Sequence, residues 1–187
     1  DGDNVNPTNI NRQLIAMHST VGKPKTQILA QRLLDINPRL NIHIKQLYMD
    51  EVQTEILLDE AKYDYVIDAI DTISPKIALL TGCLKRKIKV ISSMGAGGRI
   101  DPTRIAYADI SETYHCALAK AVRKRLKDAG ISKGIKVVFS SEQPDRNAII
   151  RTDEERNKKS TVGTISYLPA IFGCYLAAYV IRKLSQK

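Results

Sequence analysis

Two short apolar runs separated by a helix-length segment restrict the fold of this chain more than any other feature. The first run covers residues 65–71 and ends in an acid, and the second covers residues 89–93. Between them, Ser74 and Pro75 offer an N-cap and a first-turn proline for a helix that continues to Leu84. Apolar strands that alternate with helices are typical of a parallel sheet covered on both faces. The pattern predicts an α/β fold with a doubly wound, Rossmann-like, mostly parallel sheet and flanking helices.

The rest of the chain continues this alternation. Apolar residues at helical spacing, such as Leu29 and Leu33, predict a helix over residues 21–36, which an Asn-Pro pair ends. Alternating apolar and polar residues over 40–44 predict a half-buried strand. The remaining predicted elements are a helix over 52–58, an extended segment near Ile105, a basic helix over 118–129, a strand over 137–139 and a helix over 170–184.

Length and composition predict one globular domain over residues 1–187. A chain of 187 residues, 43% of them hydrophobic, is long enough for a sizeable core. Residues 142–160 are polar, charged and without a clear pattern, and we expect a mobile loop there. Residues 161–181 carry no charge, which raises a membrane helix as an alternative. Pro169 in the front half of this segment favours a buried helix of a globular domain instead, so no membrane partner is expected.

The cysteines give no sign of a metal site. Cys83, Cys116 and Cys174 are isolated, without a CxxC pair or a suitable histidine spacing, so we expect no zinc and reduced, cytoplasmic thiols. Cys116 follows His115, but adjacent residues on a helix point about 100° apart, which disfavours a Cys-His nucleophile against a small helix-face residue. Cys83 and Cys174 lie in apolar helices and are expected in the core.

The net positive charge of the chain, and the basic residues concentrated in one predicted helix, have two interpretations. The net charge is +9, and a polyanionic partner is one consequence of such a balance. A solvated surface is the other interpretation of a basic helix. The basic residues of this helix are Lys120, Arg123, Lys124, Arg125 and Lys127.

Three residues match the chemistry of a nucleotide site. In doubly wound folds an acid after the second strand binds the ribose, and Asp1 is a candidate for this role; a solvated loop acid is the alternative. Lys25 lies at a predicted helix start, where a cation and free backbone amides can bind phosphate. Asp71 follows a predicted parallel strand, and its carboxylate either holds Mg²⁺ among phosphates or caps the next helix.

These candidates belong to a longer series of motifs. The series consists of Asp-Gly-Asp at 1–3, Thr-Asn-Ile-Asn-Arg-Gln at 8–13, Val-Gly-Lys-Pro-Lys at 21–25, Asn-Pro at 37–38 and Asp-Ala-Ile-Asp at 68–71. In order and spacing it resembles the adenylation domain shared by ubiquitin-activating and sulfur-carrier-activating enzymes. The resemblance implies ATP binding, with Asp1 on the ribose and Asn9, Arg12 and Lys25 on the phosphates. It also implies that Asp71 positions Mg²⁺ and the triphosphate, which makes Arg12, Lys25 and Asp71 the catalytic residues.

A second series of motifs narrows the family. It consists of residues 68–76, 95–103, 123–127 and 138–142 and the pair Phe172-Gly173. This series resembles the tRNA threonylcarbamoyladenosine dehydratases. The resemblance implies ATP-dependent cyclisation, a dehydration, of N6-threonylcarbamoyladenosine in tRNA through an acyl-adenylate. It further implies tRNA phosphate contacts by the basic helix, a homodimer, and assistance from sulfur-transfer or other proteins.

Two alternatives to this enzyme stay open. An adenylyltransferase for the C-terminus of a ubiquitin-like sulfur carrier would use the same ATP site, although such enzymes usually carry two zinc-binding CxxC pairs. An inactive nucleotide-binding scaffold is the second alternative, because the family begins with a strand and a Gly-rich phosphate loop and this chain begins just beyond them.

Residues 95–98 do not replace that loop, since Ile100 stands where its third glycine belongs. We therefore expect that an N-terminal segment is missing from this chain. Some relatives carry a cysteine before the final helix; residues 158–161 hold none, which argues against thioester chemistry there.

Overall fold

The computed structural model describes residues 1–151 and 160–186 and divides the chain into two units. The first unit, Asp1–Met49, contains helix α1 (Lys25–Ile36) and two 3₁₀ turns, at Pro7–Asn9 and His18–Thr20. The second unit, Asp50–Lys187, contains a four-stranded sheet and the remaining helices.

Helix α1 is shorter than the sequence predicts. It begins at Lys25 instead of residue 21, because Gly22 adopts a left-handed conformation with a φ of 81° and Pro24 occupies the N-cap in an extended one. The predicted apolar stripe is not covered within the structure, since Leu29 is 41% and Leu33 is 37% exposed. The spacing of these apolar residues therefore predicted the helix correctly. It did not predict which part of the protein, if any, packs against them.

The prediction of a strand over residues 40–44 is wrong. The described part of the chain contains no strand that forms a ladder with this segment. Leu40 and Ile44 are 41% and 45% exposed. A strand requires a partner for its backbone hydrogen bonds, and an alternating pattern alone does not supply one.

A mostly parallel sheet organises the second unit, as predicted. Its strands are β1 (Val66–Asp68), β2 (Val90–Ser93), β3 (Ile105–Asp109) and β4 (Lys136–Ser140). They lie in the order β1-β2-β4-β3, with β1, β2 and β4 parallel and β3 antiparallel to β4 at one edge. The first strand is shorter than the predicted run 65–71, and Ile67 within it is 47% exposed, so β1 is not buried on both faces.

Helices cover the two faces of this sheet. The helices are α2 (Glu51–Asp59), α3 (Ile73–Lys85), α4 (Ala117–Asp128) and α5 (Tyr167–Ser185). On β2, Val90 packs in the core that α3 and α4 share, whereas the next residue, Ile91, packs in the core beneath α5. On β4, Val137 and Val138 divide between the same two cores. This alternation explains why the inner strands are apolar at consecutive positions.

Two helix starts differ from the predicted ones. The N-cap of α3 is Thr72, and the helix already includes Ser74 and Pro75 in its first turn. Helix α5 begins at Tyr167, so Pro169 lies in the first turn instead of breaking the segment. Proline is accepted there because its missing N–H has no partner within the helix. Among the described residues, no helix is long and apolar enough to cross a membrane.

The segment predicted as a mobile loop, residues 142–160, includes one short strand and the first residue of another. Strands β5 (Ile149–Arg151) and β6 (Ser160–Val162) pair antiparallel as a two-stranded sheet. Part of this segment is therefore regular, its mobility stays a prediction, and residues 152–159 of it lie outside the described residues.

Candidate functional site

The carboxyl ends of three parallel strands define one edge of the sheet in the second unit. Asp68 ends β1 and leads to Asp71, β2 ends at Ser93, and β4 ends at Ser140 just before Glu142. In open α/β sheets this edge is where ligands bind. The predicted residue Asp71 therefore lies at the edge of the sheet where ligands bind in folds of this class.

Asp71 is exposed and stands directly before the N-cap of α3. The N-cap position is Thr72, whose side chain makes no capping hydrogen bond. A helix N-terminus carries a partial positive charge, which favours anions beside it. The structure thus leaves the carboxylate of Asp71 accessible to a ligand in solution.

Directly behind Asp71 lies a buried network that sequence reasoning did not identify. Asp68 and Lys76 are both fully buried, and the Lys76 Nζ lies 2.6 Å from Asp68 Oδ2. Ser92 on β2 donates to the same carboxylate oxygen at 2.5 Å. Burial lowers the pKa of the Lys76 ammonium, while the charges of Asp68 and Asp71 oppose that shift.

A signal for this network does exist in the sequence. Lys76 shares a face of α3 with the buried residues Leu79, Leu80 and Cys83, at spacings of three, four and seven positions. A lysine on an apolar helix face requires a partner for its charge. The sequence does not identify that partner, and the structure shows that it is Asp68, the last residue of β1.

Arg99 forms a second buried cluster at the same edge. It is 4% exposed and donates to four carbonyl oxygens. The acceptors are Gly95 at 2.9 Å, Gly97 at 3.0 Å, Glu142 at 3.1 Å and His115 at 2.5 Å. One guanidinium therefore joins the segments that follow β2 and β4 to the turn before α4.

Two glycines in the segment 95–98, Gly97 and Gly98, allow close packing against neighbouring residues. A Cβ on Gly97 would lie 2.9 Å from the side chain of Val162 on β6, and the Gly98 N–H donates to Gly163 at 2.8 Å. Gly98 also has a φ of 71°, a left-handed conformation. That residues 95–98 do not replace a phosphate-binding loop stays a prediction.

In the first unit, Asp1 and Lys25 lie in one cluster around Asp3. The Lys25 Nζ pairs with Asp3 Oδ2 at 2.8 Å, and the Lys25 N–H donates to the Asp3 carbonyl at 3.1 Å. Asp1 Oδ1 accepts from the Asp3 N–H at 2.9 Å. The structure thus brings together two of the predicted nucleotide residues, with the ammonium of Lys25 bound to a carboxylate.

Asn9 and Arg12 lie together in a neighbouring turn of the same unit. Asn9 is buried, and its Oδ1 accepts from the Asn6 N–H at 3.0 Å. The Arg12 N–H donates to the Asn9 carbonyl at 3.1 Å, and its guanidinium donates to the Thr8 carbonyl at 2.8 Å. Asn9 therefore shapes the turn from which Arg12 projects.

The cysteines do not form a nucleophilic pair with histidine. Cys116 is the N-cap of α4, and its Sγ accepts from the Ala119 N–H at 3.4 Å. Cys83 is buried as expected, and burial raises the pKa of its thiol to about 11, which keeps it unreactive. Cys174 is exposed, so the prediction that it lies in the core is wrong.

Helix α4 presents most of its basic residues to a single groove. The groove has a volume of about 460 Å³. It is lined by Lys120, Arg123, Lys124 and Lys127, with Ile110, Ser111, Leu126, Ile131 and Ser132 completing the walls. Arg123 is held by a hydrogen bond to Thr113 Oγ1, whereas Lys120, Lys124 and Lys127 are exposed. Arg125 does not line this groove.

We expect the purified protein to bind no stoichiometric zinc. Within the part of the chain that the structure describes, no group of three or more His, Cys, Asp or Glu side chains is placed to hold a metal ion. Elemental analysis of chelator-washed protein checks this prediction. A ratio near one zinc per chain would contradict it and would favour the sulfur-carrier alternative.

The fold and the site define a class of protein. The model of the ThiF family matches residues 1–187, and the chain belongs to this family. It is 41% identical to the tRNA threonylcarbamoyladenosine dehydratase of Bacillus subtilis (strain 168), a match that covers 98% of this chain and 75% of that protein.

Solved structures give the same result. The crystal structure of the E. coli tRNA N6-threonylcarbamoyladenosine dehydratase in complex with ATP matches with a TM-score of 0.88 at 32% identity, covering 100% of this chain and 74% of that one. The AMP complex of the same E. coli enzyme matches with a TM-score of 0.87 at 31% identity, with the same coverage.

Proposed function

We infer that this chain catalyses the ATP-dependent dehydration of N6-threonylcarbamoyladenosine in tRNA, which closes the modification into a ring. The observation that carries this inference is the match over the whole chain, in sequence and in fold, to dehydratases of this name, including one bound to ATP. The site chemistry supports it, because an accessible carboxylate stands at the ligand-binding edge of the sheet.

The reaction activates a carboxylate that is otherwise a poor electrophile. The carboxylate oxygen of the threonyl group attacks the α-phosphorus of ATP, which forms an acyl-adenylate and releases pyrophosphate. The ureido group of the same modification then attacks the activated carbonyl, the ring closes, and AMP leaves with the carboxylate oxygen. The attacking group is already tethered, so the ring closure has a large effective molarity and needs no nucleophile from the protein.

In this reaction the protein binds and orients the substrates, and it stabilises the charge that develops on them. We propose that Asp1 accepts hydrogen bonds from the ribose and that Asn9, Arg12 and Lys25 contact the phosphates. To contact phosphate, Lys25 must exchange the Asp3 carboxylate for it, which replaces one anionic partner of the ammonium by another. Arg12 and Lys25 then stabilise the negative charge that develops on the phosphates in the transition state.

We propose that Asp71 holds Mg²⁺ together with the triphosphate. Its carboxylate is a hard oxygen donor in an exposed position, which fits a metal that keeps several waters and binds through one or two carboxylates. When bound, Mg²⁺ neutralises charge on the phosphates. Asp71, Arg12 and Lys25 are the proposed catalytic residues, and the chain as a whole is proposed to act as one adenylation domain in a cytoplasmic homodimer assisted by sulfur-transfer or other proteins, as the family resemblance implies.

ATP–pyrophosphate exchange distinguishes this function from its alternatives. The dehydratase function predicts exchange that requires tRNA carrying N6-threonylcarbamoyladenosine and is absent with tRNA lacking the modification. Exchange that requires a ubiquitin-like sulfur carrier would support the adenylyltransferase, and ATP binding without exchange under either condition would support an inactive scaffold.

The basic groove supports tRNA as the substrate, and it predicts a measurable binding defect. Replacing Lys120, Lys124 and Lys127 together by Ala weakens tRNA binding and flattens its salt dependence, by up to about three units of slope, because each lost phosphate contact removes about one. Arg123 is left in place because it holds Thr113. ATP affinity stays close to that of the wild type. Filter binding at several salt concentrations measures the effect.

A control triple variant separates the groove from overall charge. Lys62, Lys85 and Lys89 are also exposed, and replacing them by Ala removes the same charge from surfaces outside the groove. We expect this control to retain tRNA affinity. Equal losses in the two triple variants would contradict a role for the groove.

A further inference from the structure

We propose that Asp68 and Lys76 are positioning residues for Asp71, through the backbone that immediately precedes it. This inference rests on the proposed function, in which Asp71 holds Mg²⁺ with ATP. The buried ion pair lies at the carboxyl end of β1, where the chain turns from the strand toward α3.

Both backbone groups of Ile70, the residue before Asp71, are bound by this pair. The Ile70 N–H donates to Asp68 Oδ1 at 3.0 Å, and the Lys76 Nζ donates to the Ile70 carbonyl oxygen at 2.8 Å. The peptide bond is planar, so the Ile70 carbonyl shares a plane with the N and Cα of Asp71. Fixing that carbonyl therefore fixes where the side chain of Asp71 originates.

The pair is itself anchored on three elements. Asp68 ends β1, Lys76 lies near the start of α3, and Ser92 on β2 donates to Asp68 Oδ2. Both charged side chains are 0% exposed, so water cannot substitute for either partner. The two oxygens of the Asp68 carboxylate bind different groups, since Oδ2 binds Lys76 and Ser92 while Oδ1 binds Ile70.

The position of the Asp71 carboxylate matters because this carboxylate is proposed to bind Mg²⁺. Mg²⁺ demands near-ideal octahedral geometry with short bonds, so its ligands tolerate little displacement. Functional groups need to be held within about 0.5 Å by residues that are themselves fixed. The Asp68–Lys76 pair holds the backbone from which the exposed carboxylate of Asp71 projects.

A test of this inference measures ATP affinity with and without Mg²⁺. In Lys76→Met, the Ile70 carbonyl loses its donor while the aliphatic volume is largely kept. We expect the Kd for MgATP to rise about tenfold or more, since small misplacements of binding groups have large effects. The Kd for ATP in the presence of a chelator changes by less than about twofold.

A double-mutant cycle with Asp71→Asn separates positioning from a general structural role. If Lys76 acts through Asp71, Lys76→Met has little further effect on MgATP affinity once Asp71→Asn is present. Equal losses in both backgrounds, or an equal loss of ATP affinity without Mg²⁺, would overturn the proposal. Where Lys76→Met does not fold, Asp68→Asn enters the same cycle, because an amide oxygen can still accept from Ile70 but carries no charge for Lys76.

This cycle also distinguishes failure of the inference from failure of the proposed function. Wild-type protein that binds MgATP but shows no exchange with modified tRNA would contradict the function alone, and the affinity cycle would still report on Asp68 and Lys76. Exchange that depends on modified tRNA, combined with additive effects in the cycle, would retain the function and reject the positioning role.

Discussion

Asp71→Asn lowers the rate of adenylation by about a hundredfold or more while the fold stays intact. The amide keeps the size of the side chain but removes the charge that binds Mg²⁺ at the triphosphate. Asp71 is exposed and the N-cap position of α3 is Thr72, so the substitution removes no buried charge. ATP–pyrophosphate exchange with modified tRNA measures the rate, and thermal unfolding verifies the fold.

Asp35→Asn is a matched control for this experiment. Asp35 is an exposed carboxylate on α1, and its replacement by Asn makes the same change of charge and size. We expect exchange in this variant to remain close to the wild-type rate. Near-normal exchange in Asp71→Asn itself would show that the carboxylate has no part in binding the metal and ATP.

Asp68→Ala destabilises the protein by about 3–5 kcal/mol, since it leaves the charge of Lys76 buried without a partner. The substitution also removes the acceptors of Ser92 and Ile70. For a domain of this size, each kcal/mol corresponds to a shift of about 2–4 °C in Tm, so the Tm falls by about 10 °C. Denaturant unfolding and thermal melts measure both quantities.

Two comparisons show whether burial is the cause. Asp59→Asn removes a carboxylate that pairs with Arg86 at 2.7 Å on the surface, where Asp59 is 67% exposed, and we expect a much smaller loss. The double replacement Asp68→Asn with Lys76→Met removes both charges, and it costs less than the sum of the two single replacements. Additive costs, or a loss in Asp68→Ala as small as in Asp59→Asn, would show that the pair does not support the fold.

The sheet could be predicted because its inner strands are apolar at consecutive positions. Val90 and Ile91 on β2 pack into opposite cores, and this double burial is visible in the sequence as an unbroken apolar run. The segment 40–44 misled the prediction for the opposite reason. Alternation indicates that one face of a segment is apolar, but it carries no information about whether a neighbouring strand completes its hydrogen bonds.

The site could be predicted in part. Asp71 is identifiable from its position after a parallel strand, which is a property of local sequence order. Lys76 and Arg99 fall within the family's motifs. The apolar face of α3 indicates that Lys76 needs a partner but does not identify it, and an arginine such as Arg99 is expected at the surface. Only the fold reveals that Arg99 is buried among carbonyl oxygens from three segments that are far apart in the chain. Such long-range partners cannot be derived from spacing along the chain.

The ATP-dependent removal of water from a modified adenosine in tRNA can be measured directly. The protein is incubated with ATP, Mg²⁺ and tRNA carrying N6-threonylcarbamoyladenosine, and the digested nucleosides are then measured by mass spectrometry. We predict that the modified nucleoside loses the mass of one water, and that AMP and pyrophosphate appear in amounts equal to the ring product. An unchanged nucleoside under conditions in which the protein binds ATP would contradict the dehydratase function.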